Sequence, residues 1–410
     1  MGVAASRGSL LYICYQSVAE PLTHTQVVAY LEGLALVGYQ VILLTFEPRR
    51  FSPNEEQAWR SRLARRGLIW HWVRYHKHPR VSATAWDVMN GALQGVRLGR
   101  RYNIDVLHAR GHVAGLMAMQ IKRATGARFL FDIRGFMAEE YADAGLWKAH
   151  GTVFRVVKHV ERRLVSVADA IVVLTGKAHA LLREWYGREV RGKTIDVIPC
   201  CVDMRVWGNG EGRRSQQFDA GRPNARPFIL VYVGKLGGWY LTEAMTEFVA
   251  AAKDRLGSIR WQVWTQSNPS SLERLVRERG LGAHVAIGSA LPESVASSVG
   301  AGDVGLSFIK QCLSKTASSP TKIGEYLASG LPVVASSGVG DVDELLIRSR
   351  VGVVVPELTM MGYLKAVEEV LALASDPGTA ARCHAVAREC LDLEGVGWAR
   401  YRKLYRELVG

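Results

Sequence analysis

Short β-branched and aromatic runs alternate with helical patterns along this chain, and the alternation occurs twice. In the first half, runs at 10–15, 41–46, 104–108, 128–132, 170–175 and 194–198 read as strands. Helical spacing of apolar residues appears between them, at 25–37 (closed by Gly38), 113–124, 150–165 and 177–186. Strand–helix–strand alternation of this kind specifies a parallel sheet covered by helices on both faces. Residues 208–227, GNGEGRRSQQFDAGRPNARP, are nearly free of apolar side chains and interrupt the pattern. It then restarts, with strands at 228–233, 260–265, 285–288, 304–308, 332–336 and 352–355. Helices at 242–255, 272–279, 321–328 and 363–373 fall between these strands. The expected architecture is therefore α/β, with two doubly wound domains at 1–207 and 228–395 joined by a linker at 208–227. In the last segment, 396–410, Trp398, Tyr401, Tyr405 and Leu408 recur at helical spacing, and this face is expected to pack back onto the body.

Composition removes several classes. With 48% hydrophobic and 22% charged residues the chain is not mainly disordered. Charge, Gly or Pro interrupts every apolar run before the roughly 18 residues of a membrane span. The opening MGVAASRGSLLYICYQ lacks the features of a secretory signal, and its loose myristoylation pattern reads as a chance match. The six cysteines have no zinc spacing and read as reduced, buried thiols, so a cytoplasmic location is expected. Charge is uneven. Residues 1–205 hold 29 Lys+Arg against 17 Asp+Glu, or +12 of the total +14, which leaves +2 for the remainder. An anionic ligand or surface facing the first half is the natural counterpart.

In open parallel sheets, ligands bind beyond the carboxyl ends of the strands. In the first half those ends offer Thr25 and Gln26, then His108 and Arg110, then Asp132, Arg134 and Glu139. In the second half, the run 228–233 enters Gly234-Lys235-Leu236-Gly237-Gly238, a turn whose backbone N–H groups and lysine suit a phosphate. The segment 314–341, SKTASSPTKIGEYLASGLPVVASSGVGD, adds more. Ser318, Ser319, Pro320 and Thr321 form a helix start, with Lys322 in its first turn and Glu325 one turn on. Amides and a lysine suit a diphosphate, and a carboxylate suits a hydroxyl pair. Asp341 and Asp343 read as a helix N-cap and a first-turn charge rather than a metal site.

The order S-x-P-x-K-x-x-E-Y-L-A-x-G-x-P-V-V-A-x-x-G-x-G-D resembles the donor-site segment of retaining glycosyltransferases of the family 4-like group, whose two Rossmann-like domains make the GT-B fold. VIPCCVDMRVW and YVGKLGGWY are similar to that family's strand-to-linker signature and glycine turn. The family often carries a glutamate eight positions before the one matched by Glu325, and Ala317 stands there instead.

The resemblance implies a UDP- or GDP-linked sugar donor held by the second domain through Gly234, Lys235, Gly237, Ser318–Thr321, Lys322 and Glu325. It implies no cofactor and no required metal. It also places Asp132, Arg134 and His108 as catalytic groups on the opposite wall, and Thr25, Gln26, Arg110 and Glu139 as acceptor contacts. The implied acceptor is a glycan or lipid-linked intermediate of cell-surface polysaccharide synthesis. A small-molecule natural product is the alternative, as is an epimerase or inactive paralogue on the same fold. Nucleic acid is not an expected partner. The stretch 59–80, WRSRLARRGLIWHWVRYHKHPR, reads either as a patch touching the inner face of the membrane or as a solvated helix followed by a core strand.

Overall fold

The computed structural model describes residues 7–208, 226–289 and 292–410. The chain divides into two compact units, one of residues 1–199 with 396–410, the other of residues 200–395. Most of the expected linker, 209–225, lies outside the described residues. The crossing point falls earlier than the glycine-rich stretch suggests. Val202 lies in the core of the second unit, where its N–H donates to Leu391 O at 2.8 Å and its carbonyl accepts from Leu393 N–H at 2.9 Å.

Unit 1 holds seven strands: β1 Ser9–Cys14, β2 Gln40–Glu47, β3 Leu68–Arg74, β4 Val106–Arg110, β5 Arg128–Asp132, β6 Ala170–Val173 and β7 Thr194–Val197. They form one parallel sheet in the order β3-β2-β1-β4-β5-β6-β7. Its central strands are buried on both faces, which explains the continuous apolar runs LLYIC and VILLTF. Unit 2 holds β8 Phe228–Val233, β9 Ile259–Trp264, β10 Val285–Gly288, β11 Val304–Ser307, β12 Val333–Ser336 and β13 Gly352–Val355. The order there is β10-β9-β8-β11-β12-β13, again parallel. Each sheet reverses direction between its first strand and the fourth in chain order, at β1/β4 and at β8/β11. These are the switch points where doubly wound sheets take ligands.

Three sequence expectations shift. The helix expected over 25–37 is broken into Pro21–Thr23, a π-turn His24–Val28 and Ala29–Ala35. The stretch 59–80 divides between the helix Pro53–Ala64 and β3, where Trp70 is buried and donates to Thr45 Oγ1 at 2.9 Å. It is therefore no single surface patch. Of the cysteines, Cys14, Cys200, Cys201 and Cys383 are buried, whereas Cys390 is exposed and Cys312 half-buried.

The terminal helix Ala399–Val409 packs onto unit 1. Trp398 fills the space over Gly33, where a Cβ would meet its ring at 2.3 Å, and its Nε1 donates to Ala29 O at 2.8 Å. Arg402 donates to Gly33 O at 3.2 Å, and Tyr401 and Tyr405 are buried beside Tyr30 and Tyr39. Leu404 shares this buried face, while Leu408 is only half-buried. Trp398→Ala removes a buried ring and a hydrogen bond, so it should cost about 3–5 kcal/mol, read as a large fall in Tm by circular dichroism. A melting curve within a degree or so of the wild type would show that the helix contributes little to unit 1.

Candidate active site

At the switch point of the second sheet, β8 ends at Gly234, whose φ of 143° suits a residue without a side chain. A Cβ there would sit 2.9 Å from Lys322 Nζ, so the amine lies over the bare backbone. The turn is pinned on several sides. Gly234 N–H donates to Trp264 O at 3.0 Å, the Tyr232 hydroxyl to Lys235 O, Leu236 N–H to Ser267 Oγ at 3.1 Å and Gly237 N–H to Thr242 Oγ1 at 2.9 Å.

Lys322 reaches the turn from the first part of the helix Thr321–Ala328, whose N-terminus follows Pro320 and has no side-chain cap. Tyr326 ties that helix to the sheet, accepting from Val233 N–H at 2.9 Å and donating to Leu306 O at 3.2 Å. Lys322 is 5% exposed, and among the described residues its Nζ has no hydrogen-bond partner. It stands 4.2 Å from the Tyr232 ring centroid and 4.4 Å from that of Tyr240. Burial pushes its pKa down to about 7, partly offset by the Glu325 carboxylate. Burial pushes Glu325 up to about 7, and Lys322 partly offsets that. A lysine in a cage of two aromatic rings, beside free helix amides, is arranged for an anion that is not a protein side chain.

Lys235 is exposed, with only its carbonyl tied down. Ser318 N–H donates to Lys315 O at 3.1 Å, and Ser319 Oγ accepts from Cys200 N–H at 3.1 Å. Gly237 (φ 72°) and Gly238 (φ 61°) complete the turn. Sequence reasoning missed the two tyrosines of the cage. It also missed Lys315, which is 7% exposed and has its Nζ 4.1 Å from the Trp239 ring centroid. The signal was the Trp-Tyr pair directly after Gly238. Ala317 is buried at the end of the single turn Leu313–Ala317. Asp341 occupies the N-cap position but its side chain makes no capping bond, and Asp343 reaches back to accept from Gly338 N–H at 2.9 Å. Among the described residues no group of three or more His, Cys, Asp or Glu has a metal-holding arrangement.

In unit 1, Asp132 is fully buried at the end of β5. Its Oδ1 lies 3.4 Å from Arg134, and its Oδ2 lies 3.5 Å from His108 Nε2, 3.8 Å from Arg110 and 3.5 Å from the Tyr401 hydroxyl. Burial works to raise this carboxyl, but Arg134, His108 and Arg110 together hold it down at about 2. His108 corrects the sequence reading. β4 starts only at Val106, after Asn103 ends the preceding helix in a left-handed conformation, so His108 is mid-strand rather than at the strand end. It is 2% exposed, shares a 2.8 Å hydrogen bond between Nδ1 and the Tyr405 hydroxyl, and lies against Tyr12 and Tyr401. Burial lowers its pKa more than Asp132 raises it. His108 thus stands as a buried imidazole with a lowered pKa beside Asp132, with Arg110 and Arg134 nearer the surface.

The expected acceptor contacts are dispersed. Thr25 is half-buried on the π-turn, with its hydroxyl 3.4 Å from Pro21 O, and Gln26 is buried. Glu139 pairs with Lys158 at 2.9 Å and so joins a second buried cluster. In that cluster Lys158 also meets Glu161 at 2.6 Å, and His112 meets Glu161 at 2.7 Å.

Two parallel sheets, each wound outward from its own switch point, constitute the GT-B architecture of nucleotide-sugar glycosyltransferases. Residues 23–201 match the family model described as a glycosyl transferase 4-like domain. Among solved structures, the chain is similar to sucrose-phosphate synthase from Thermosynechococcus elongatus, with 17% identity, 98% of this chain and 99% of that one covered, and a TM-score of 0.70. A glycosyltransferase from Rickettsia africae gives 13% identity, 99% and 99% coverage and a TM-score of 0.71. HepE of Anabaena, solved with UDP and glucose, gives 13%, 97% and 100%, and 0.68. No curated protein sequence matches. The chain thus has the GT-B fold, and its first unit carries the match to a glycosyl transferase 4-like domain.

Because the folded-state pKa of Lys322 lies below its usual 10.5, the unfolded chain holds this proton more tightly. The resulting destabilisation is full below pH 7 and fades as pH rises from about 7 towards 10.5. Lys322→Met should therefore melt higher than the wild type near pH 6, with the gap closing at alkaline pH. A variant that melts lower near pH 6 would contradict the buried, unpartnered amine.

Proposed function

We propose that this chain is a retaining, metal-independent transferase that moves a sugar from a UDP- or GDP-linked donor to a glycan or lipid-linked acceptor in cell-surface polysaccharide synthesis. The observation that carries the donor side is Lys322 Nζ, buried without a hydrogen-bond partner between Tyr232 and Tyr240. The diphosphate takes that place, with the amides at Thr321 and Lys322 and the turn at Gly234–Gly237 around it. HepE, solved with UDP and glucose and also with UDP-glucose, supports a nucleotide-linked donor, and UDP in particular. Glu325, one helical turn from Lys322, accepts from a hydroxyl pair of the ribose or sugar. Lys235, exposed on the turn, and Ser318 and Ser319 line the approach.

In the reaction, the bond from the sugar's anomeric carbon to the diphosphate oxygen breaks, and a bond to the acceptor oxygen forms on the same face. The acceptor's proton passes to the departing phosphate, and the nucleoside diphosphate leaves. Lys322, charged in the presence of the diphosphate, and the helix amides stabilise the negative charge that builds on the leaving group. In the first domain, Arg110 and Arg134 receive an anionic acceptor, while Asp132, ionised and steadied by His108, fixes their guanidinium groups. The +12 charge of residues 1–205 supports an acidic acceptor and a peripheral contact with the inner face of the membrane.

The two halves of this reading separate in one set of kinetics. Lys322→Ala should weaken use of the nucleotide sugar by roughly tenfold or more, as for loss of a charge-assisted contact. Arg134→Ala should abolish transfer while nucleotide binding, read by thermal shift, stays at the wild-type level. Unchanged donor kinetics in Lys322→Ala would remove Lys322 from the site. Full transfer by Arg134→Ala to a neutral acceptor would point to a small-molecule substrate instead.

A further inference from the structure

The helix Arg80–Tyr102 packs tightly on one side and is bare on the other. Its inner stripe is Gly91, Gly95 and Gly99, seated on the helix Gly111–Thr125. A Cβ on Gly91 would lie 2.6 Å from Met117 Sδ, on Gly95 2.2 Å from Ile121 Cδ1, and on Gly99 2.9 Å from Thr125 Cγ2. A side chain at any of the three would force Met117, Ile121 or Thr125 to shift, so the glycine stripe allows the two helices to approach closely. Asp87, the sole acidic residue of the helix, also faces inward. It is fully buried, 2.6 Å from His76 Nδ1, and accepts from the Tyr15 hydroxyl at 2.8 Å and His76 N–H at 2.9 Å.

Residues two positions from each glycine stand about 200° around the helix. They are Met89, Leu93 and Arg97. The outer face begins with Val81, 86% exposed, and Trp86, 54% exposed, continues with Met89 at 48% and Leu93 at 54%, and ends with exposed Arg97, Arg100 and Arg101. A shallow groove of about 380 Å³ runs beside it, lined by Val88, Met89, Leu93, Val96 and Gln120 among others. The neighbouring helix Gly111–Thr125 has no acidic residue and adds exposed Arg123. The surface is thus apolar along one length and cationic along the next, with no carboxylate from either helix exposed on it. The arginines of a second copy would repel it, whereas anionic head groups complement the cations while their acyl region accepts Trp86, Met89 and Leu93. The helix follows β3, so it starts at the carboxyl edge of the first sheet, the edge that carries Arg110 and Asp132.

We propose that the outer face of the helix Arg80–Tyr102 is a docking surface for a membrane containing anionic lipid. The inference refines the membrane contact of the proposed function and rests on that reading for its purpose, while its observations concern this helix alone.

The full chain should co-sediment with vesicles of phosphatidylcholine and phosphatidylglycerol, and binding should weaken as salt is raised. Vesicles of phosphatidylcholine alone should bind poorly. Met89→Glu with Leu93→Glu, and separately Arg97→Glu with Arg100→Glu, should each reduce binding roughly tenfold or more. Ile347→Glu with Met361→Glu, at exposed apolar positions of unit 2, should leave it unchanged. Melting curves confirm folding, and the arginine pair keeps the test decisive if the first pair proves unstable. Absent binding, equal binding to neutral vesicles, or binding retained by both helix pairs overturns the proposal. So does a dimer that Met89→Glu with Leu93→Glu dissociates, which would assign the face to a second copy. Thermal shift with UDP, run alongside, keeps failure of this surface separate from failure of the donor site.

Discussion

A lysine amine held out of water without a hydrogen-bond partner is costly, and much of unit 2 is arranged to keep Lys322 in that state. Its Nζ lies over Gly234 because only a residue without Cβ leaves room there. Tyr232 and Tyr240 flank it with ring faces, which attract a cation but cannot replace its hydration shell. Tyr232 also fastens the turn through Lys235 O, and Tyr326 fastens the helix to β8 and β11. On the proposed function the amine is preorganised, and its stability cost is recovered when the diphosphate binds. Strain of this sort at a binding site is the usual conflict between stability and function.

Unit 1 solves the opposite problem. Asp132 is also buried, but Arg134, His108 and Arg110 surround it, and its charge is secured from within. The terminal helix closes this cluster, since the Tyr401 and Tyr405 hydroxyls reach Asp132 and His108 from 269 and 297 positions away in sequence. Arg110 and Arg134 are held against this carboxylate at 3.8 and 3.4 Å. Two further buried acids of this unit are held in the same way, Asp87 by His76 and Glu161 by His112.

Most strands were legible because strands buried on both faces must be apolar throughout, whereas β3 was one of two readings of 59–80 and the helix Arg80–Tyr102 was not read. The segment around Lys322 and Glu325 was legible for a different reason: Pro320 and the lysine in the first turn make sense together only at a helix start facing an anion. What escaped sequence reasoning depended on contacts distant along the chain. Tyr240 becomes a cage wall only when the turn after β8 folds over the helix Thr321–Ala328. His108 moved from strand end to mid-strand because Asn103 delays the start of β4 to Val106. Glu139 joined Lys158, an association that no local spacing encodes. Of the two readings of 59–80, a helix followed by a core strand is the one found, since pairing of β3 with β2 turns Trp70 inward.

On the proposed function, Lys322 waits, largely uncharged above pH 7, for the donor's diphosphate. Calorimetric titration of the full chain with UDP and GDP, near pH 8 and in two buffers of different ionisation enthalpy, tests it directly. Proton uptake on binding is expected, seen as a buffer-dependent heat, and it should disappear in Lys322→Met along with most of the affinity. Binding with the same heat in both buffers, or unchanged affinity in Lys322→Met, would contradict it.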